Sequence, residues 1–151
     1  MDKSKKYLKT INDLAHYFEG YTLGNTGKMS IIASTLSNAF NDWIFCGFYL
    51  VTEEDLLEIG QYQSSIVHCG HIKFSKGVCG KSAREEKTII VKNVNDFSGY
   101  ISCDDQTISE IVIPVFSKDI LIGVLDIDGR LEGQFDQTDK KYLEEIVGYL
   151  K

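Results

Sequence analysis

At 151 residues, with 43% apolar and 25% charged residues, the chain has the size and balance of one globular domain, which excludes a disordered or fibrous protein. Its net charge of -6 and lack of a basic stripe argue against nucleic acid or an anionic membrane surface as a partner. The longest apolar stretches, such as Ile111 to Phe116, fall far short of the roughly 18 residues of a membrane span, and no secretory apolar core follows the basic start, so a cytoplasmic location is expected.

Tyr7, Ile11, Leu14, Ala15 and Phe18 recur at helical spacing and predict a first helix that ends in the Gly20 to Gly24 region. Met29, Ile32, Ala33, Leu36, Ala39 and Phe40 predict a second. Cys46 to Val51, the acidic turn Thr52 to Asp55 and Leu56 to Tyr62 then read as an antiparallel hairpin. From Ser64 to Asp105 the pattern breaks into short strands around Ile66 to Cys69 and Thr88 to Val91, a short helix over Val78 to Glu85, and irregular polar segments. Ile111 to Phe116 and Leu121 to Ile127, joined at Ser117 to Asp119, form a second, strongly apolar hairpin suited to the centre of a sheet. The last segment opens on Asp136 to Asp139 and carries Tyr142, Leu143, Ile146, Val147 and Leu150 on one helical face. Hairpins leave no room for parallel crossovers, so the expected fold is an α+β sandwich, a mainly antiparallel sheet flanked by N- and C-terminal helices, with residues 1–151 as a single domain.

Four cysteines in a reducing compartment are core residues, metal ligands or reactive groups rather than a disulfide framework. Cys46 lies in an apolar strand and reads as a small buried hydrophobe. Cys69, Cys79 and Cys103 stand beside glycine or polar residues, settings that suit exposed thiols near flexible backbone. Together with His68 and His71 they offer enough ligands for zinc, but the chain has no C-x-x-C or H-x-x-x-H pair, and His68 and Cys69 on one strand would face opposite ways. No metal is therefore expected, and the histidines read as surface or packing residues.

Glu110 opens one apolar strand of the second hairpin, while Asp126 and Asp128 close the other. Antiparallel pairing brings the three to one end of the sheet, with Asp126 and Asp128 on one face. Such a cluster suits an ammonium group, and like-charge repulsion raises the pKa of one member until it can donate a proton near neutral pH. Gly77-Val78-Cys79-Gly80 lacks the Gly-Lys-Ser or Gly-Lys-Thr ending of a phosphate loop, and no Ser-His-Asp arrangement is evident.

These residues resemble the free methionine-(R)-sulfoxide reductases, which are built on a GAF domain. The resemblance runs along most of the chain and is carried by Gly47-Phe48-Tyr49-Leu50, Gly77 to Gly80, Gly99 to Asp104, Ser109 to Pro114, Gly123 to Asp128 and Gly133 to Asp136, together with the separations of Cys69, Cys79 and Cys103. It implies a GAF-like catalytic domain, an N-terminal contribution to a homodimer, and free methionine-(R)-sulfoxide as substrate. It further implies Cys103 as the attacking sulfur, Cys69 as the resolving one and Cys79 as a third active-site thiol. Glu110, Asp126 and Asp128 match the acidic substrate-binding residues, and Phe45, Trp43, Tyr49, Tyr100, Ile101 and Ser102 fall in the segments that surround the substrate. No bound cofactor is implied, only an external dithiol such as thioredoxin.

Three positions depart from the family pattern. Phe45 stands where a tryptophan is usual, and Trp43, two residues away, is expected on the same strand face. Tyr100 replaces a common histidine and Gly129 a common serine. The competing expectation is a GAF ligand-binding or redox-sensing module without turnover, against which stands the absence of room for an output domain beyond the terminal helices.

Overall fold

The computed structural model describes residues 2–151. Two helices open the chain, α1 (Lys3–Gly20) and α2 (Asn25–Ala39), and the hairpin β1 (Trp43–Glu53) and β2 (Leu56–Ser64) follows. A short strand β3 (His71–Lys73), helix α3 (Gly77–Glu85) and strand β4 (Ile89–Val91) lead to the second hairpin, β5 (Ser109–Ser117) and β6 (Ile120–Gly129), and helix α4 (Gln137–Val147) comes last. The strands form one sheet in the order β3-β2-β1-β6-β5-β4 with every pairing antiparallel, the α+β architecture expected from the two hairpins.

The apolar alternation of the strands divides the molecule into two layers. Cys46 and Phe48 of β1, Ile111, Ile113 and Val115 of β5, and Leu125 and Ile127 of β6 pack beneath α1, α2 and α4. Phe45, Tyr49, Val112 and Val124 point the other way, toward α3 and the loops. Both terminal helices thus lie on one face. Their junction is made by Asp139, whose Oδ1 accepts from the Tyr7 hydroxyl at 2.7 Å and whose Oδ2 accepts from Lys3 Nζ at 2.6 Å. The same residue closes a capping box with Asp136 that satisfies free amides at the start of α4.

Two local expectations fail. Residues 65–70 form a loop rather than a strand, and the edge strand falls just beyond it, where Leu56, Leu57 and Glu58 pair with Lys73, Ile72 and His71. Serines at 64–65 and Gly70 interrupt that apolar run, and the sheet resumes only where Ile72 can bury its side chain. Trp43 does not share the face of Phe45, because the β1–β6 register shifts between these two residues and breaks the two-residue alternation. Trp43 instead stacks on Phe40 with ring centroids 4.4 Å apart, among the helices.

Candidate active site

The register of the second hairpin sets Glu110 opposite Asp128 and Val112 opposite Asp126. All three acids therefore stand on the face that α3 covers, and each is at most 5% exposed. Among the described residues none pairs with a lysine or arginine. Burial without a compensating cation disfavours charge. It pushes Glu110 and Asp128 well above the usual carboxylate range, with the neighbouring Asp126 charge adding to the effect. Asp126 rises only to about 6, since burial is offset by hydrogen bonds from Glu110 and Cys79. Asp126 is thus the first of the three to ionise, and its Oδ1 has no partner.

Two loops bring the paired sulfurs together, and Cys103 lines the cavity with the acids. Cys69, after β2, and Cys103, between α3 and β5, are joined in a disulfide with their Cα atoms 5.3 Å apart. The Tyr49 hydroxyl holds the first loop by donating to the Cys69 carbonyl at 2.8 Å. Asp104 holds the second, accepting from the backbone amides of Gln106 and Thr107 at 2.7 Å and from the Thr107 hydroxyl at 2.8 Å.

Cys79 departs from its expected exposure. It is 2% exposed in the first turn of α3, with Sγ 4.0 Å from Glu110 Oε1. The adjacent glycine permits close approach rather than flexibility, since a Cβ at Gly80 would lie 2.5 Å from the Lys73 carbonyl oxygen. Burial, and then the charge of Asp126, hold the Cys79 thiol well above its ordinary pKa. Cys46 lies in the opposite layer, as its apolar strand implied.

His68 is the site residue that sequence reasoning passed over. Its side chain is 2% exposed, packed on the Phe45 ring at 4.2 Å between centroids, with Nδ1 3.7 Å from Asp128 Oδ2 and Nε2 3.9 Å from Asp104 Oδ2. Burial lowers its pKa and keeps the imidazole neutral. Sequence did hold a signal, for His68 precedes one thiol of the disulfide and Asp104 follows the other.

Tyr100 and Ile101 line the cavity together with Cys79, Cys103 and the acids. Tyr49 lies beneath it, Ser102 turns outward to donate to the Asp104 carbonyl at 2.5 Å, and Trp43 belongs to the other layer. Gly129 ends β6 where a Cβ would lie 2.5 Å from Gln134 Oε1, so the glycine accommodates the Gln134 side chain. With the disulfide in place the cavity holds about 20 Å³ of free space, room for about one water. Larger hollows of about 480 Å³ lie between α4 and β5 and between α1 and α2, yet neither gathers thiols or converging acids.

The GAF domain model matches residues 29–150. The free methionine-R-sulfoxide reductase of Escherichia coli is 34% identical over an alignment spanning all of this chain and 90% of that protein. The Saccharomyces cerevisiae enzyme of the same name is 43% identical over 86% of this chain and 77% of its own length. The solved free methionine-R-sulfoxide reductase of Neisseria meningitidis, in complex with its substrate, superimposes with a TM-score of 0.91 at 34% identity, covering 98% of this chain and 87% of that one. A fold, a thiol pair and relatives that agree over nearly the whole length lead to one assignment: the chain belongs to the GAF-domain family of free methionine-R-sulfoxide reductases.

Proposed function

We propose that this chain reduces free methionine-(R)-sulfoxide to methionine within one GAF-like catalytic domain. The observation that carries the reading is a Cys69–Cys103 pair whose second sulfur-bearing residue lines one cavity with three buried acids that have no cation. A sulfoxide sulfur becomes electrophilic when its oxygen is protonated, so the chemistry needs a thiol nucleophile and a neutral acid side by side. Glu110 and Asp128, kept protonated by burial, are the acids; Asp126, ionised near neutrality, receives the substrate ammonium. A methionine inside a polypeptide has no ammonium to offer. Specificity for the free amino acid follows, with Phe45, Tyr100 and Ile101 forming the apolar wall.

Cys103 attacks the sulfoxide sulfur, methionine leaves, and the oxygen stays on Cys103 as a sulfenic acid. The Cys69 thiol then displaces that oxygen as water and forms the disulfide. An external dithiol such as thioredoxin returns both sulfurs to thiols by exchange, being itself oxidised to a disulfide. Cys79 is unsuited to first attack, since its surroundings hold it as a thiol and the thiolate is the nucleophile. The cavity of the disulfide form is too small for an amino acid, so reduction must free the Cys103 loop before substrate enters. We further place the protein in the cytoplasm as a homodimer formed through its N-terminal helices.

The test is methionine release from separate (R) and (S) epimers of free methionine sulfoxide, and from N-acetylmethionine sulfoxide, with thioredoxin and its reductase. Turnover of the free (R) epimer alone is expected. Turnover of neither free epimer by fully reduced protein would sink the reading in favour of a ligand-binding GAF module.

A further inference from the structure

The two loops that carry the thiols also carry two other donors, in the adjacent pairs His68-Cys69 and Cys103-Asp104. The disulfide fixes their proximity, at 5.3 Å between the cysteine Cα atoms. His68 Nε2 is buried without a hydrogen-bond partner and lies 3.9 Å from Asp104 Oδ2, so a closure of about 0.6 Å brings the two to the roughly 3.3 Å that separates tetrahedral ligands of one ion at about 2 Å each. The other ring nitrogen, Nδ1, faces Asp128 Oδ2 at 3.7 Å, just beyond hydrogen-bond length, on the side from which a carboxyl group orients a metal-binding histidine once the two close up. Asp104 is itself held by the amides and hydroxyl of the Gln106–Thr107 turn.

We propose that the reduced protein binds one zinc ion through His68 Nε2, Cys69 Sγ, Cys103 Sγ and Asp104 Oδ2, with Asp128 orienting the imidazole. The sequence hid this set because the expected strand at 66–69 turned His68 away from Cys69 and because the ligands come as two neighbouring pairs 34 residues apart rather than in one short motif. Binding displaces two thiol protons, forms two zinc–sulfur bonds and masks the nucleophile and its resolving partner together. Oxidation to the disulfide removes two of four ligands and releases the ion. The site thus makes the availability of the thiols depend on free zinc as well as on the dithiol reductant. The inference goes beyond the reductase reading and is tested without any sulfoxide, so either can fail alone.

The experiment is titration of full-length protein with cobalt(II), then competition by zinc(II), in the dithiol and disulfide forms. Expected is one cobalt per reduced chain, with tetrahedral visible bands and a near-ultraviolet thiolate charge-transfer band, and affinity at least about 100-fold weaker after oxidation. Asp128→Asn should weaken binding about 10- to 100-fold while keeping the thiolate band. His68→Ala should weaken it at least as much, with near-ultraviolet circular dichroism of the metal-free variant reporting that it is folded. Cys79→Ser should bind as the wild type does. Equal affinity in the two redox forms, absence of the thiolate band, or full affinity in folded His68→Ala overturns the proposal; the redox comparison needs no variant.

Discussion

Asp139 and Asp128 are both aspartates buried in this domain, and they are treated in opposite ways. On the helix-covered face Asp139, at 1% exposure, is met by Lys3, by the Tyr7 hydroxyl and by the amide of Asp136. On the other face Asp128, at 4%, shares its space with Asp126, Glu110 and a neutral imidazole. The buried side-chain atoms left without a partner include His68 Nε2 and Asp126 Oδ1, both at the second face. One layer spends its polar groups on fixing the terminal helices to the sheet. The other holds polar groups under strain, where a ligand can complete them.

The contrast is broken most severely by removing the sulfur on which the second face acts. Cys103→Ser should lower single-turnover methionine formation on the order of 10⁴-fold or more. Cys69→Ser should still give one methionine per chain and then stall with a sulfenic acid that a dimedone label reports. Equal single-turnover yields in Cys103→Ser and wild type would overturn the assignment of the attacking sulfur.

Glu110→Gln keeps the shape of the acid but cannot donate a carboxyl proton, so kcat should fall about 10²- to 10⁴-fold. The same change should stabilise the fold. The folded pKa of Glu110 is raised, so its contribution favours the native state at acid pH and is lost as pH rises from the ordinary carboxylate range toward the folded value. At neutral pH the amide variant should gain on the order of 1 kcal/mol, or about 2–4 °C in melting temperature. A gain that is absent at pH 4 and present at pH 7 ties it to titration rather than to packing. Asp126 gives the accompanying pH profile. Because its carboxylate must be ionised to hold an ammonium, kcat/KM should fall about tenfold per pH unit below about 6, and Asp126→Asn should flatten that limb.

On the helix-covered face the expected effect lies in stability alone. Tyr7→Phe leaves Asp139 Oδ1 without its 2.7 Å donor and should cost about 1.5–3 kcal/mol in a denaturant titration. Activity per folded molecule should stay within about twofold, since α1 does not line the cavity. A change in KM here would mean that the two faces are coupled through the sheet.

The hairpins, the four main helices and the convergence of the three acids were legible because each follows from a period: 3.6 in the helices, two in the strands, and the fixed pairing of β5 with β6. What was not legible depends on irregular backbone. Residues 65–70 look apolar enough for a strand, but the chain there is a loop anchored by Tyr49, and this places His68 over Phe45. Cys79 looked exposed because glycines flank it, whereas Gly80 is there to let α3 sit against the backbone of residues 73–74. In the sequence Asp104 is legible only as the end of the Gly99 to Asp104 segment, and its place beside the imidazole depends on the turn through Gln106 and Thr107.

Trp43 and Phe45 offer the smallest effect and the finest separation of the two faces. Strict alternation would put both in the substrate wall, but the register shift between them sends Trp43 to Phe40 and Phe135 and leaves Phe45 under His68. Phe45→Leu removes the ring on which the imidazole rests and should raise KM about tenfold, the scale of a lost apolar contact in a pocket. Trp43→Phe keeps an aromatic ring against Phe40 and should cost less than about 1.5 kcal/mol of stability, with KM unchanged. The pair differs by one bulge rather than by chemistry. If Trp43→Phe raised KM as much as Phe45→Leu, the bulge would not separate the faces in solution, and the substrate wall would extend across the strand end to the helix layer.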